Sequence, residues 1–201
     1  MRHAALAALF AALLAWSSLS GAQELSEPLI LVAAPELQDP IYGRSVLVVK
    51  PFGAGQHLGF IVNRPTDFTL GKIFPEHAPS QKVADPVFLG GPVEASVIFA
   101  LVARPDSPGG ESIEIMPGLF AAHEATVVDK IIEANPGNAR FVAGLVLWRP
   151  GELRREIQIG AWQVAHSDPA LAMRDPKGLW EELVQRSQRA RNLLRTGYRG
   201  R

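Results

Sequence analysis

The side chains able to do chemistry are a few histidines and serines and three short clusters. His123-Glu124 opens a stretch of helical periodicity, as the zinc helix of a metalloprotease does. A second imidazole would have to sit on the same face at position 127, and Val127 is there. His57, His77 and His166 lie in loop-like segments with no partner at close spacing and are expected to be surface or capping residues. Gly53, Gly55 and Gly59 follow a strand with the spacing G-x-G-x-x-x-G and lead into another strand. A dinucleotide loop needs one residue fewer and a helix N-terminus to receive the pyrophosphate, so these read as hairpin glycines. Neither a G-x-S-x-G elbow nor a P-loop is present. A triad can still assemble by geometry alone, and Ser45 and Ser96 are then the nearest candidate nucleophiles. The expectation is a protein without catalytic residues, metal ligands or cofactor.

The three clusters are Asp39-Pro40-Ile41-Tyr42-Gly43-Arg44-Ser45-Val46, Gly59 to Thr66 with Asn63-Arg64-Pro65 at its end, and Pro86 to Val93 with Gly90-Gly91-Pro92. Asn63 can bond backbone groups where a strand loses its ladder, and Arg64 can pair with a carboxylate such as Asp39, Asp67 or Glu94. Gly90-Gly91-Pro92 makes a turn or a place where another backbone approaches closely. Alternatively Arg44, Arg64 and the Gly90-Gly91 amides form a rim for a small anionic ligand or a protein partner.

The elements that must position these residues alternate between strand and helix without a regular βαβ order. Strands are expected at 28–34, 45–50, 58–63, 86–89, 97–103, 112–116, 140–148 and 162–165, the second and third joined as a hairpin by a seven-residue loop. Helices are expected within 66–74, capped by Thr66 or Asp67 and stopped by Pro75, and at 121–134, 150–157, 168–173 and 177–194. In the two hairpin strands apolar residues occupy both alternations, so both faces should be covered. The class is α+β: one compact domain with a bent, mostly antiparallel sheet and a few flanking helices.

At the three clusters the chain resembles the YqgE/AlgH family, whose ordered motifs D-P-x-F/Y-x-x-S-V, G-x-x-x-N-R-P and P-V-x-x-G-G-P-V are matched by Asp39 to Val46, Gly59 to Pro65 and Pro86 to Val93. The likeness continues through Gly144, Trp148, Pro150-Gly151-Glu152-Leu153 and Trp162, so it spans roughly residues 28–183. The resemblance implies an α+β domain whose bent sheet closes into a pseudo-barrel. It brings no catalytic residue, and the transcription-related role attached to some members would make the protein a cytosolic, nucleic-acid-associated regulator. Leu145-Val146-Leu147 before Trp148, and Glu152 and Arg154 after it, depart from the family pattern.

Composition limits the reading further. At 201 residues there is material for one sizeable core. No cysteine is present, which excludes disulfides, thiolate zinc, iron–sulfur clusters, a cysteine nucleophile and a lipid-bearing cysteine. The 20 basic residues match the 20 acidic ones, against a surface built wholly for nucleic acid. The charges are segregated, however. Residues 186–201 hold six arginines and no acid, while every acidic residue lies within 23–185. Residues 1–22 combine a basic start, an apolar run from Ala4 to Trp16 and the small-residue close Ser20-Gly21-Ala22. That is the pattern of a secretory signal peptide cleaved between Ala22 and Gln23, since the apolar run is shorter than the roughly 20 residues needed to span a bilayer. The expected layout is therefore a signal at 1–22, an α+β domain at 23–185 and an arginine-rich tail at 186–201. The functional expectation is a periplasmic or secreted binding or accessory protein. A cytosolic regulator and a hydrolase with a dispersed triad are the alternatives.

Overall fold

The structure, a computed structural model, describes residues 25–197. The expected signal segment and the Ala22–Gln23 cleavage site lie outside the described residues. Ten strands form one curled sheet: β1 (Leu29–Ala33), β2 (Val46–Phe52), β3 (Gln56–Ile61), β4 (Pro65–Thr69), β5 (Pro86–Leu89), β6 (Val93–Ala103), β7 (Ile113–Met116), β8 (Leu119–Ala122), β9 (Ala139–Trp148) and β10 (Trp162–Ala165). Among the described residues four α-helices flank it: α1 (Leu70–Ile73), α2 (Ala125–Ala134), α3 (Glu152–Gln158) and α4 (Leu179–Gly197). The main strand order is β10-β1-β2-β3-β9-β6-β8-β7, with β4 pairing β5. Every pairing is antiparallel except β5 with β9.

The half-barrel follows from β9. Its first half pairs with β6, through Ala139↔Val102 to Ala143↔Ile98, and its last residues pair with β3, through Val146↔Gly59 to Trp148↔His57. Between these two stretches Gly144, with φ of +72°, turns the strand opposite a register shift in β6 between Val93 and Ile98, and Leu145 beyond it pairs with Val93. A bulge of this kind increases local twist and bends the sheet. The curl brings β2 towards β7, where Lys50 Nζ donates to the Glu114 carbonyl at 2.7 Å.

The concave side holds the largest core, in which Ile30, Val48, Phe60, Phe99, Leu101 and Val142 meet Leu179, Leu183 and Val184 of α4. On the outer face α2 lays Val127, Ile131 and Ile132 against Ala100, Phe120 and Phe141. A third cluster places Leu29, Leu31, Leu47 and Ile61 with Trp148, Trp162 and Leu153 of α3. Val46 to Val49 are all fully buried, as the doubled alternation implied.

Several boundaries depart from the sequence reading. The hairpin loop is only Gly53-Ala54-Gly55, all at positive φ, because Pro51 and Phe52 still pair with His57 and Gln56. Beyond the Leu29↔Val49 pair β1 no longer runs beside β2, so the side of Pro51 that lacks an N–H faces no ladder. Residues 66–69, expected to begin a helix, belong instead to strand β4, whose Pro65 and Thr69 pair with Phe88 and Pro86. Helix α1 is capped by Thr69, whose hydroxyl accepts from Lys72 N–H, rather than by Thr66 or Asp67. Ala121 and Ala122 belong to strand β8, claimed by pairing with Leu101 and Ala100, and α2 begins at Ala125. Helix α4 runs through residue 186 without a break, so the basic stretch begins inside a helix.

Candidate functional site

The first two clusters fold into one lock around the turn between β1 and β2. Asp39 Oδ1 accepts from the amides of Ile41 and Tyr42, both at 2.8 Å, which closes the turn. Ser45, fully buried, donates its hydroxyl to the Tyr42 carbonyl at 2.6 Å. Asn63 faces it from the end of β3: Oδ1 accepts from Val46 N–H and Nδ2 donates to the Arg44 carbonyl. Arg64 donates to three carbonyls, those of Ile41 (2.8 Å), Gly43 (3.2 Å) and Pro40 (3.1 Å). The expected carboxylate partner is replaced by main chain, because the turn aims three carbonyls at one guanidinium fork. Arg44 is ion-paired with Glu181 and stacks over the Trp180 ring at 4.8 Å, tying α4 to the same turn.

Arg64→Ala is expected to lower stability by about 3 kcal/mol, since charge-assisted bonds are lost and three carbonyls are left to find new donors. Lysine should restore only a minor part, because it lacks the planar fork. Urea melts of the three proteins measure this.

The third cluster is built for close approach. Gly90 and Gly91 amides both donate to the Ala143 carbonyl, at 2.8 and 3.3 Å, and the Gly90 carbonyl accepts from Ile61 N–H. Pro65 follows Arg64, whose carbonyl accepts from Leu89 N–H, and the exposed Pro92 leads into β6. Of the groups expected to form a rim for an anion, the Gly90-Gly91 amides and the Arg64 guanidinium are engaged inside the chain, and Arg44 is paired with Glu181. Trp148 lies apart from these residues. Its indole N–H donates to Glu156 Oε2 at 2.8 Å, and Trp162 donates to the same oxygen at 2.7 Å.

One cation escaped the sequence reading. Arg140 on β9 is 9% exposed, donates to the carbonyls of Val62 and Arg174 at 2.6 Å each, and lies 4.3 Å from the Phe88 ring centroid. Burial pulls its pKa down to about 10, against the opposing pull of Asp85 and Asp175, so it stays charged at neutral pH.

The cavity with chemical potential lies elsewhere, between α1, the 3₁₀ turn Ala78–Lys82, β6 and α2. It has a volume of about 290 Å³ and mostly apolar walls, including Leu70, Phe74, Ile98, Val128 and Ile132. Its polar lining side chains are His77, Ser80, His123 and Asp129. His77 caps the 3₁₀ turn, and the threefold period sets its side chain beside Ser80. Nδ1 of His77 is 2.8 Å from Ser80 Oγ, while Nε2 is 3.3 Å from Asp129 Oδ1. Ser80 is 2% exposed. The apolar side chains of Phe68, Ile73 and Phe74, on β4 and beside or within α1, are exposed.

The structure therefore gives His77 two partners where its sequence surroundings offered none. Of the serines singled out from sequence, Ser45 is committed to a carbonyl and Ser96 is exposed on β6. Ser80 was legible only as part of His77-Ala78-Pro79-Ser80, where proline at the start of a turn sets residues three apart on one face. Among the described residues no cluster of three His, Asp or Glu side chains is placed to hold a metal ion.

The profile of a family described as AlgH-like matches residues 30–191. A UPF0301 protein of Chlorobium phaeobacteroides is 29% identical over 172 residues, 84% of this chain and 88% of its own. Another, from Ruegeria pomeroyi, is 33% identical over 164 residues, 78% of this chain and 88% of its own. Among solved structures, a Corynebacterium diphtheriae protein aligns with a TM-score of 0.66 at 22% identity, covering 80% of this chain and 86% of its own. The AlgH protein of Pseudomonas aeruginosa aligns at 0.62 and 23% identity, covering 78% and 85%.

Proposed function

The chain belongs to the AlgH-like family, and from that premise we propose that it is a binding or accessory protein of the cell envelope that takes a small, largely apolar ligand in the His77–His123 cavity. The observation that carries this reading is the cavity itself: apolar walls with a few convergent polar groups at one place are the usual make-up of a small-molecule site. Envelope residence is supported by the signal-like pattern of residues 1–22. The lock at Asp39, Asn63 and Arg64 is scaffold in this reading, because its donors are spent on the fold.

Two measurements test it. After cell fractionation, N-terminal sequencing should give Gln23 in the periplasmic or secreted fraction; an intact Met1 in the cytosol would overturn the envelope half and favour the regulator. A fluorescent medium-chain fatty acid should bind the purified protein, and Ala125→Trp, which fills the cavity from an exposed lining position, should weaken that binding at least tenfold. Equal affinity in both proteins would remove the cavity from the argument.

A further inference from the structure

We infer that Ser80, His77 and Asp129 form a hydroxyl–imidazole–carboxylate relay facing this cavity, competent to take the acyl group of a small acyl ester whose chain lies against the apolar walls. The inference rests on the cavity being a ligand site and adds a reaction to it.

The protonation states follow from the partners. A carboxylate can only accept, so the imidazole proton sits on Nε2, towards Asp129 Oδ1 at 3.3 Å. Nδ1 then carries the lone pair, and at 2.8 Å it accepts from the Ser80 hydroxyl. That is the arrangement in which an imidazole acts as base towards a serine while a carboxylate fixes its tautomer. The two ring nitrogens exchange the places they hold in chymotrypsin-like proteases, without altering the proton logic. Burial of Ser80 at the cavity wall shields its hydroxyl from bulk water. His123 is a further lining side chain able to donate to a developing oxyanion.

In the first step Ser80 Oγ bonds to the ester carbonyl carbon as its proton passes to His77 Nδ1. The resulting imidazolium is stabilised by Asp129. Collapse breaks the bond between carbonyl carbon and alkoxy oxygen, and His77 returns its proton to the departing alcohol. Water then repeats the sequence on the acyl-serine: its proton goes to His77, its oxygen to the carbonyl carbon, and Ser80 recovers a proton as the carboxylic acid leaves. The sum is ester plus water to acid plus alcohol, with no oxidant or metal required. A relay assembled from a turn and a separate helix leaves no local motif, which is why the sequence led to the expectation of a non-enzyme.

The test uses the full mature chain and an alkyl fluorophosphonate, read by intact mass and peptide mapping. One adduct on Ser80 is expected, absent in Ser80→Ala and formed at least tenfold more slowly in Asp129→Asn. Hydrolysis of p-nitrophenyl butyrate should follow the same order of variants. No adduct, an adduct on another residue, or unaltered labelling of Asp129→Asn would each overturn the relay. Should Ser80→Ala fail to fold, the mapped site in the unaltered protein and the Asp129→Asn rate decide. Fatty-acid binding without any Ser80 adduct removes the relay and leaves the binding reading standing; loss of both removes both.

Discussion

Gly91→Ala is expected to leave the protein without a cooperative melt and mostly insoluble. A β-carbon at position 91 would sit 2.2 Å from the Leu145 carbonyl oxygen, 2.3 Å from its carbon and 2.8 Å from a methyl of Val146. The first two are backbone atoms of β9, so no side-chain rotation relieves the contact. Gly144 has the mirror problem, with its own added carbon 2.3 Å from the Gly91 carbonyl oxygen. The strands cross this closely because both Gly90 and Gly91 amides reach the Ala143 carbonyl and Ile61 N–H reaches the Gly90 carbonyl. Pushing the segments apart breaks all three bonds at the bend in β9, between Ala143, paired with Ile98 of β6, and Val146, paired with Gly59 of β3. A cost above about 4 kcal/mol is expected, a large share of the roughly 5–15 kcal/mol that holds a domain together. Gly109→Ala is the control: unlike Gly91 it has positive φ, but nothing lies within 4 Å, so only about 1 kcal/mol of backbone strain is expected. A Gly91→Ala protein melting within a few degrees of the parent would show that the crossing can slide.

The second large effect is expected at Glu156. Its Oε2 accepts from the indole N–H of both Trp148 and Trp162, which are 4% and 5% exposed and stack edge to face at 6.5 Å. Alanine would strand two buried donors, at about 1–3 kcal/mol each, so a loss near 4 kcal/mol and a melting point lower by roughly 10 °C are expected. Glutamine keeps an acceptor oxygen and should cost far less. The charge can be read separately. Tyr42 stands 6.0 Å from Trp162, and its phenol titrates above the ordinary value of 10, mainly through burial, then through Glu156, Asp39 and Glu152. A raised folded value means that this contribution to stability is complete below pH 10 and is lost as pH climbs through the folded value. In a Tyr198→Phe background, Glu156→Gln should move the Tyr42 absorbance titration down, yet leave it above 10 because burial remains. An unmoved titration would mean that Glu156 and Tyr42 do not sense each other.

Much of the fold was legible because the pattern that encodes it is local. The buried runs at 29–33 and 46–49 and the mostly buried one at 139–148 have no competing reading. The errors arise where pairing overrides the local pattern. Residues 66–69 joined a strand because Phe88 and Pro86 pair with that segment, and 119–122 became one because β6 pairs with it on one side and the adjacent β7 on the other. The same holds for the site. Asp39, Asn63, Arg64 and Gly90-Gly91 were visible by residue type, and their role as internal fasteners appears only once their carbonyl partners are in place. Ser80, His77 and Asp129 were invisible as a set: the first two are meaningful only with the turn's period, and the third arrives on another element.

The pairing of β1 with β10 has a consequence for timing. Ile30 and Ala165 come from opposite ends of the described chain, and β1 has only β2 on its other side. Ordering the sheet edge therefore waits until almost the whole polypeptide is available, and contacts so distant in sequence close slowly. A chain emerging N-terminus first keeps β1 half-partnered throughout synthesis. Under the envelope role proposed above, such late closure favours passage through a secretion channel before folding.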